Sequence, residues 1–169
     1  MRKIILLLLF FTVFSNAQEC KFEINEVDDF TKLKKTKTIK QVIAVTVSTS
    51  LSFSFFKNND TYLEIFYHSS GIKSIVIGSR NVLSLMFQDG SIVELFPLEI
   101  VSGEFDVLNN TTVKSKYPIA MDIVSKIRKV GLKKVRFNST KYYYDFDVIK
   151  EKWISKLNNQ IECFLKETI

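Results

Sequence analysis

The sequence predicts an α+β fold, an antiparallel β-meander of about six to eight strands covered by a long C-terminal helix and a second, shorter helix. Apolar and polar residues alternate with period two from Ile43 to Phe55. Clusters of turn-forming residues cut the middle of the chain into short segments, and helical spacing of apolar residues occurs only in the last third.

The first segment, Lys21 to Asn25, alternates Phe22 and Ile24 with polar residues and reads as a short strand that Glu26, Asp28 and Asp29 interrupt. A basic stretch follows, Lys32, Lys34, Lys35, Lys37 and Lys40, broken by threonines and without aromatic interleaving. It reads as the solvated face of a strand or loop rather than a docking site for a membrane surface or polysaccharide. In the alternating stretch, Ile43, Val45, Val47, Leu51, Phe53 and Phe55 share one face; Ala44, Thr46, Ser48, Ser50, Ser52 and Ser54 share the other. Its length exceeds that of an ordinary strand, so it is either one strand crossing a curved sheet or a pair folding back near Ser48 to Ser50.

The middle of the chain is a succession of strands and turns. Asn58-Asn59-Asp60 precedes Tyr62 to Tyr67, Ser69-Ser70-Gly71 precedes Ile72 to Ile77, and Gly78 to Asn81 precedes Val82 to Phe87. Asp89-Gly90 is the strongest hairpin signal, with the residue types of a type I′ turn. Ile92 to Phe96 returns and Pro97 ends it. Ser102-Gly103 and Asn109-Asn110 then bracket Phe105 to Leu108, ahead of a last segment around Thr111 to Lys116. Short connections between consecutive strands imply antiparallel pairing.

The shorter helix is expected to carry Pro118 in its first turn, with Ile119, Ile123, Ile127 and Val130 on one stripe, cations at its C-terminal end and Gly131 as its cap. Strands around Lys133 to Phe137 and Tyr142 to Phe146 follow. Asp147 is the expected N-cap of the final helix, whose stripe is Ile149, Trp153, Leu157, Ile161 and Phe164, with Leu165 at its margin. Cys163 lies to the side of that stripe, a position suited to a bond with an edge strand.

Residues 1–17 have the order of a secretory signal peptide: basic Arg2 and Lys3, an apolar run from Ile4 to Phe11, and small residues at Ser15 and Ala17. Cleavage before Gln18 leaves a single domain, 18–169, directed to the periplasm or the exterior, without a transmembrane anchor. The formal charge of +6 falls to +4 when Arg2 and Lys3 leave, too little for a nucleic-acid-binding signature. The chain has two cysteines, Cys20 and Cys163. In an exported protein they read as one disulfide clasping the new N-terminus to the last helix; the alternatives are a pair of buried free thiols and a redox site, the latter disfavoured because no Cys-x-x-Cys spacing exists.

Catalytic motifs are few. His68 is the only histidine, so no histidine pair can hold zinc, and no Gly-x-Ser-x-Gly elbow presents a nucleophile. No metal or cofactor is expected. The carboxylate pairs Asp28 with Asp29, Asp145 with Asp147, and Glu94 with Glu99 are the acids a hydrolase could use. Tyr142, Tyr143 and Tyr144 with Phe146 and Trp153 read as an aromatic cluster, either core and rim or the lining of a ligand or sugar site; Tyr142, Tyr144 and Trp153 are the candidate ligand or partner contacts.

The leader end Asn16-Ala17-Gln18, the cysteine just beyond it, the segment Asn25-Glu26-Val27-Asp28-Asp29-Phe30-Thr31, the β-rich middle and the near-terminal cysteine together resemble small uncharacterised exported proteins of Bacteroidota bacteria. That resemblance implies a compartment and transfers no activity or site residue. The expected function is a non-enzymatic exported protein binding an apolar ligand or a cell-envelope partner. The alternatives are a structural or interaction protein of the envelope with a filled core, and a carboxylate-dependent hydrolase.

Overall fold

The computed structural model describes residues 20–71 and 74–168. The segment read as a signal peptide, 1–17, lies outside them. Among the described residues thirteen strands and two helices run in the order β1 (Phe22–Val27), β2 (Lys34–Thr38), β3 (Gln41–Val45), β4 (Thr49–Lys57), β5 (Thr61–Ser69), β6 (Val76–Ile77), β7 (Leu83–Phe87), β8 (Ile92–Leu95), β9 (Val101–Ser102), β10 (Glu104–Phe105), β11 (Thr111–Pro118), α1 (Met121–Val130), β12 (Leu132–Asn138), β13 (Tyr143–Asp147) and α2 (Glu151–Thr168). The fold is the expected α+β type, and every strand pair is antiparallel. Seven strands form the main sheet, in the order β1-β2-β4-β5-β11-β10 with β3 also on β4. Four more form a second sheet, β13-β12-β7-β8, and β6 and β9 make a two-stranded ribbon.

The alternating stretch is a hairpin, not one long strand. The chain reverses between Thr46 and Thr49, whose hydroxyls lie 2.7 Å apart while the Thr46 N–H donates to the Thr49 carbonyl. Val47 stands fully exposed at the tip, which explains why its apolar side chain fits neither face. β2 and β3 run along the same edge of β4, one after the other, interrupted at Ile39 and Lys40. At that break the Phe55 N–H donates to the Thr38 hydroxyl at 2.8 Å, so a side chain substitutes for the missing rung of the ladder.

One face of the main sheet is the core. Leu51, Phe53 and Phe55 of β4, Leu63, Ile65 and Tyr67 of β5, and Val113 and Tyr117 of β11 are buried there. The second sheet lies against this face through Phe137 and Phe146, whose rings sit 5.2 and 6.2 Å from that of Tyr67. α2 covers the β2–β4 side, with Phe164 against Phe55 at 5.7 Å and Leu157 and Ile161 buried beside it. Each such large apolar side chain contributes about 1.5–3 kcal/mol when fully buried.

Three local expectations change. Pro118 ends β11 rather than starting α1, because the sheet ladder continues past it: the Ile119 N–H donates to the Thr61 carbonyl at 3.0 Å, and α1 begins only after Ala120. Asp147 belongs to β13, opposite Lys134 and 3.4 Å from its ammonium; α2 begins at Glu151, leaving Ile149 outside the helix and exposed. At Asp89-Gly90 only the glycine has positive φ, 83°. The Gly90 N–H donates to Phe87 and the Phe87 N–H to Ser91, so the loop is a type I turn closed by a glycine bulge. Gly131 caps α1 as expected, at φ 83° with its N–H on the Ile127 carbonyl.

Candidate functional site

The other face of the main sheet is not covered by either helix or by the second sheet, and register determines which side chains meet there. β4 presents Ser52, Ser54 and Phe56; opposite them β5 presents Phe66, Glu64 and Tyr62; beyond these β11 presents Lys114, Lys116 and Pro118. On the far side of β4, Lys37 pairs with Phe56. Serines at alternate positions of β4 leave a shallow trough between bulkier rows, and lysines from the β2–β3 edge lie across it. The Lys37 ammonium reaches Glu64 Oε2 at 3.1 Å, and the Lys40 ammonium stands 5.0 Å from the centre of the Phe66 ring. Ser52 and Ser54 are consequently 3% and 0% exposed, although they face outward.

Glu64 is the hub of this face. Its carboxylate is buried, with Lys114 at 3.7 Å from Oε2 and Lys116 at 3.7 Å from Oε1 in addition to Lys37. Lys37 is itself buried and also meets Glu23 Oε1 at 2.9 Å. Burial pushes its pKa down, but hydrogen bonds and charge from Glu23 and Glu64 outweigh that, and the net shift is upward. Lys37 therefore stays charged. This corrects the reading of the lysine run as a wholly solvated face: Lys37 is an internal strut, while Lys40 is exposed.

Four ammoniums, from Lys37, Lys40, Lys114 and Lys116, face three carboxylates, Glu23, Glu64 and Glu104, the last placed on this face opposite Thr112, so the surface carries a small positive excess. Its cations also rest on rings: Lys114 lies 5.5 Å from Phe66 and Lys116 5.6 Å from Phe56, which stacks on Tyr62 at 6.2 Å. A cation over a ring at such a site gains only about 0.5–1 kcal/mol. Lys40 has no carboxylate partner among the described residues, and its ammonium is free to move to a stronger anion.

The predicted site residues fall elsewhere. Cys20 and Cys163 are bonded, with Cα atoms 5.5 Å apart, tying the approach to edge strand β1 to the flank of α2. Tyr144 points into the sandwich, 5.0 Å from Tyr67 and 5.9 Å from Phe137. Tyr142 is exposed beside β13, its carbonyl accepting from Ser139, and Trp153 is half-buried on α2 under the Lys150 ammonium. These three serve different surfaces. The lysine and aromatic face was missed, although β5 advertises it: Tyr62, Glu64, Phe66 and His68 alternate with apolar core residues, an acid set between aromatics on one strand face.

In two of the three acid pairs considered for hydrolysis, one carboxylate is committed to another role. Asp28 accepts from the Phe30 and Thr31 N–H groups and pairs with Lys35, which holds its carboxyl well below the ordinary range. Asp145 is clamped by Arg136 through two hydrogen bonds of 2.7 and 2.9 Å, which lower its pKa. An acid held ionised in this way has no proton to donate at neutral pH. His68 lies on the outer face with Nδ1 3.4 Å from Thr112 Oγ1. A cleft of about 210 Å³ opens beside the disulfide, lined by Ile39, Gln41, Lys156, Asn159 and Gln160 among others. Among the described residues no three histidine, cysteine or acidic side chains cluster to hold a metal, and no helix is long and apolar enough to cross a membrane.

No protein-family model, no curated protein and no solved structure matches the chain.

Proposed function

We propose that the chain is an exported, non-enzymatic interaction module that engages a cell-envelope partner through the outward face of its main sheet. One observation carries the reading: that face holds exposed cations parked on aromatic rings, around a buried carboxylate that fixes their spacing. Export is supported by the leader-like first residues and by the disulfide, which belongs to an oxidising compartment. Against an apolar small ligand stands the packing beneath α2, where Phe55, Leu157, Ile161 and Phe164 occupy the space a pocket would need. The test is co-sedimentation of the oxidised protein with insoluble cell-envelope fragments at low salt. Retention of the wild type and release of the Lys40→Ala/Lys114→Ala double variant support the reading; equal sedimentation of the two sinks it.

A second reading, a structural or interaction protein docking through apolar contacts, has its own observation. Phe96, Leu98, Ile100, Phe105, Val107 and Leu108 are all more than half exposed between β8 and β11. If Leu108→Ser/Val107→Ser releases the protein from envelope fragments and the lysine variant does not, this rim is the contact.

A further inference from the structure

We infer that the partner of the outward sheet face is a linear acidic polysaccharide whose sugar rings stack on Phe66 and Phe56 and whose carboxylates meet Lys40, Lys114 and Lys116. The inference rests on the proposed use of this face and specifies its ligand. The cations are all lysines, spaced along and across the sheet, and none is an arginine. Ammoniums act as separate point charges, suited to a chain bearing one carboxylate per sugar, whereas bidentate phosphate recognition favours the guanidinium fork. The aromatic component is equally specific: partly exposed rings set beside those charges offer flat apolar surfaces to the C–H face of a sugar. Lys114 and Lys116 stand at alternate positions of β11, about 6.8 Å apart along the strand, and Lys40 reaches the same ring as Lys114 from the other side, so anions that recur along a polymer meet more than one ammonium.

The rest position of the lysines also fits. Lys40 and Lys114 flank the same ring at 5.0 and 5.5 Å, and only Lys114 is near a carboxylate, 3.7 Å from Glu64. An arriving carboxylate draws both ammoniums off the ring and exposes it to the sugar in one movement. Glu64 is a positioning residue here. It keeps Lys37 folded down across β4 and anchors Lys114 and Lys116 beside the rings on which they rest.

The experiment is isothermal titration of the disulfide-bonded protein with oligogalacturonate, with malto-oligosaccharide of equal length as the neutral control and phosphatidylglycerol vesicles as the alternative anion. The expected result is oligogalacturonate binding that weakens as salt is added, with no response to the neutral oligomer. Lys40→Ala/Lys114→Ala should weaken it about tenfold, and Phe66→Leu, which leaves every charge in place, about fivefold. Lys40→Ala alone, at an exposed position outside the core, keeps the test open if the double variant misfolds. Absence of binding, equal binding of the neutral oligomer, or undiminished binding by Phe66→Leu overturns the inference. Vesicle binding lost in the lysine variants, with no oligogalacturonate binding, also overturns it while leaving the face as the contact; failure of the envelope co-sedimentation overturns the face itself.

Discussion

The Lys37 ammonium lies 3.1 Å from Glu64 Oε2, having crossed β4 on the diagonal, where Phe56 is opposite Lys37 and Ser54 opposite Glu64. Two charged side chains that begin on strands separated by β4 are thus paired inside an outward-facing surface. Removing one partner strands the other, since a buried ion without its counter-charge loses far more than an exposed pair ever contributes. Glu64→Ala should therefore destabilise the protein by about 3 kcal/mol, tempered by the remaining contact of Lys37 with Glu23. Lys37→Met in the same background should recover part of that loss. Urea unfolding of the two single variants and the double variant checks it; additive losses would show that the pair is uncoupled.

Ser54 matters because of its size. Its hydroxyl has no hydrogen-bond partner in the described structure, so its contribution is to leave room. Ser54→Ala should be nearly neutral, whereas Ser54→Leu fills the trough, pushes Lys37 off Glu64 and should destabilise by about 1–3 kcal/mol. Equal unfolding midpoints for the alanine and leucine variants would contradict this account.

The bond from Cys20 to Cys163 closes a loop with a sequence separation of 143 residues, from the approach to an edge strand to the last helix. On the chain-entropy model a closure of this length stabilises by roughly 3–5 kcal/mol. Cys20→Ala/Cys163→Ala should lower the unfolding midpoint accordingly, while far-UV circular dichroism of the folded variant stays unchanged, because α2 remains packed through Leu157, Ile161 and Phe164. An unaltered midpoint would show that the clasp is redundant with that packing.

Much of this architecture was legible in the chain. Period-two patterning located β4, β5 and β7, helical spacing located both helices, and the offset of Cys163 from its stripe anticipated the bond toward an edge strand. Elements were misplaced where local signals competed with pairing. Pro118 is a good first-turn residue, yet the β5 ladder runs beyond it to Ile119; Asp147 is a good N-cap, yet Lys134 holds it in a strand. Asp89-Gly90 needed only one residue with positive φ, because a bulge supplies the remaining twist. The outward face was obscured for a different reason. A lysine run read along the chain is a solvated stretch, and only the cross-strand register reveals that Lys37 and Lys40 converge with Glu64 and Phe66, residues distant in sequence.

Tyr117 gives the protein an alkaline limit. Its hydroxyl is buried beside Ser115 without a well-formed hydrogen bond, and burial, partly offset by Ser115, raises its pKa from 10.0 to about 12. The folded state thus holds this proton more tightly than the unfolded chain. Its contribution to stability is complete below pH 10, where both states are protonated, and is lost as pH rises toward 12, because the unfolded chain ionises first. Tyr117→Phe removes that term. At pH 7 the variant should lie within about 1 kcal/mol of the wild type, since no good hydrogen bond is given up; between pH 10 and 12 it should lose less stability than the wild type. Urea midpoints for both proteins across that range provide the measurement, and because lysine titration is common to both, their difference isolates the tyrosine. Parallel curves would show that the hydroxyl is solvated in the folded protein.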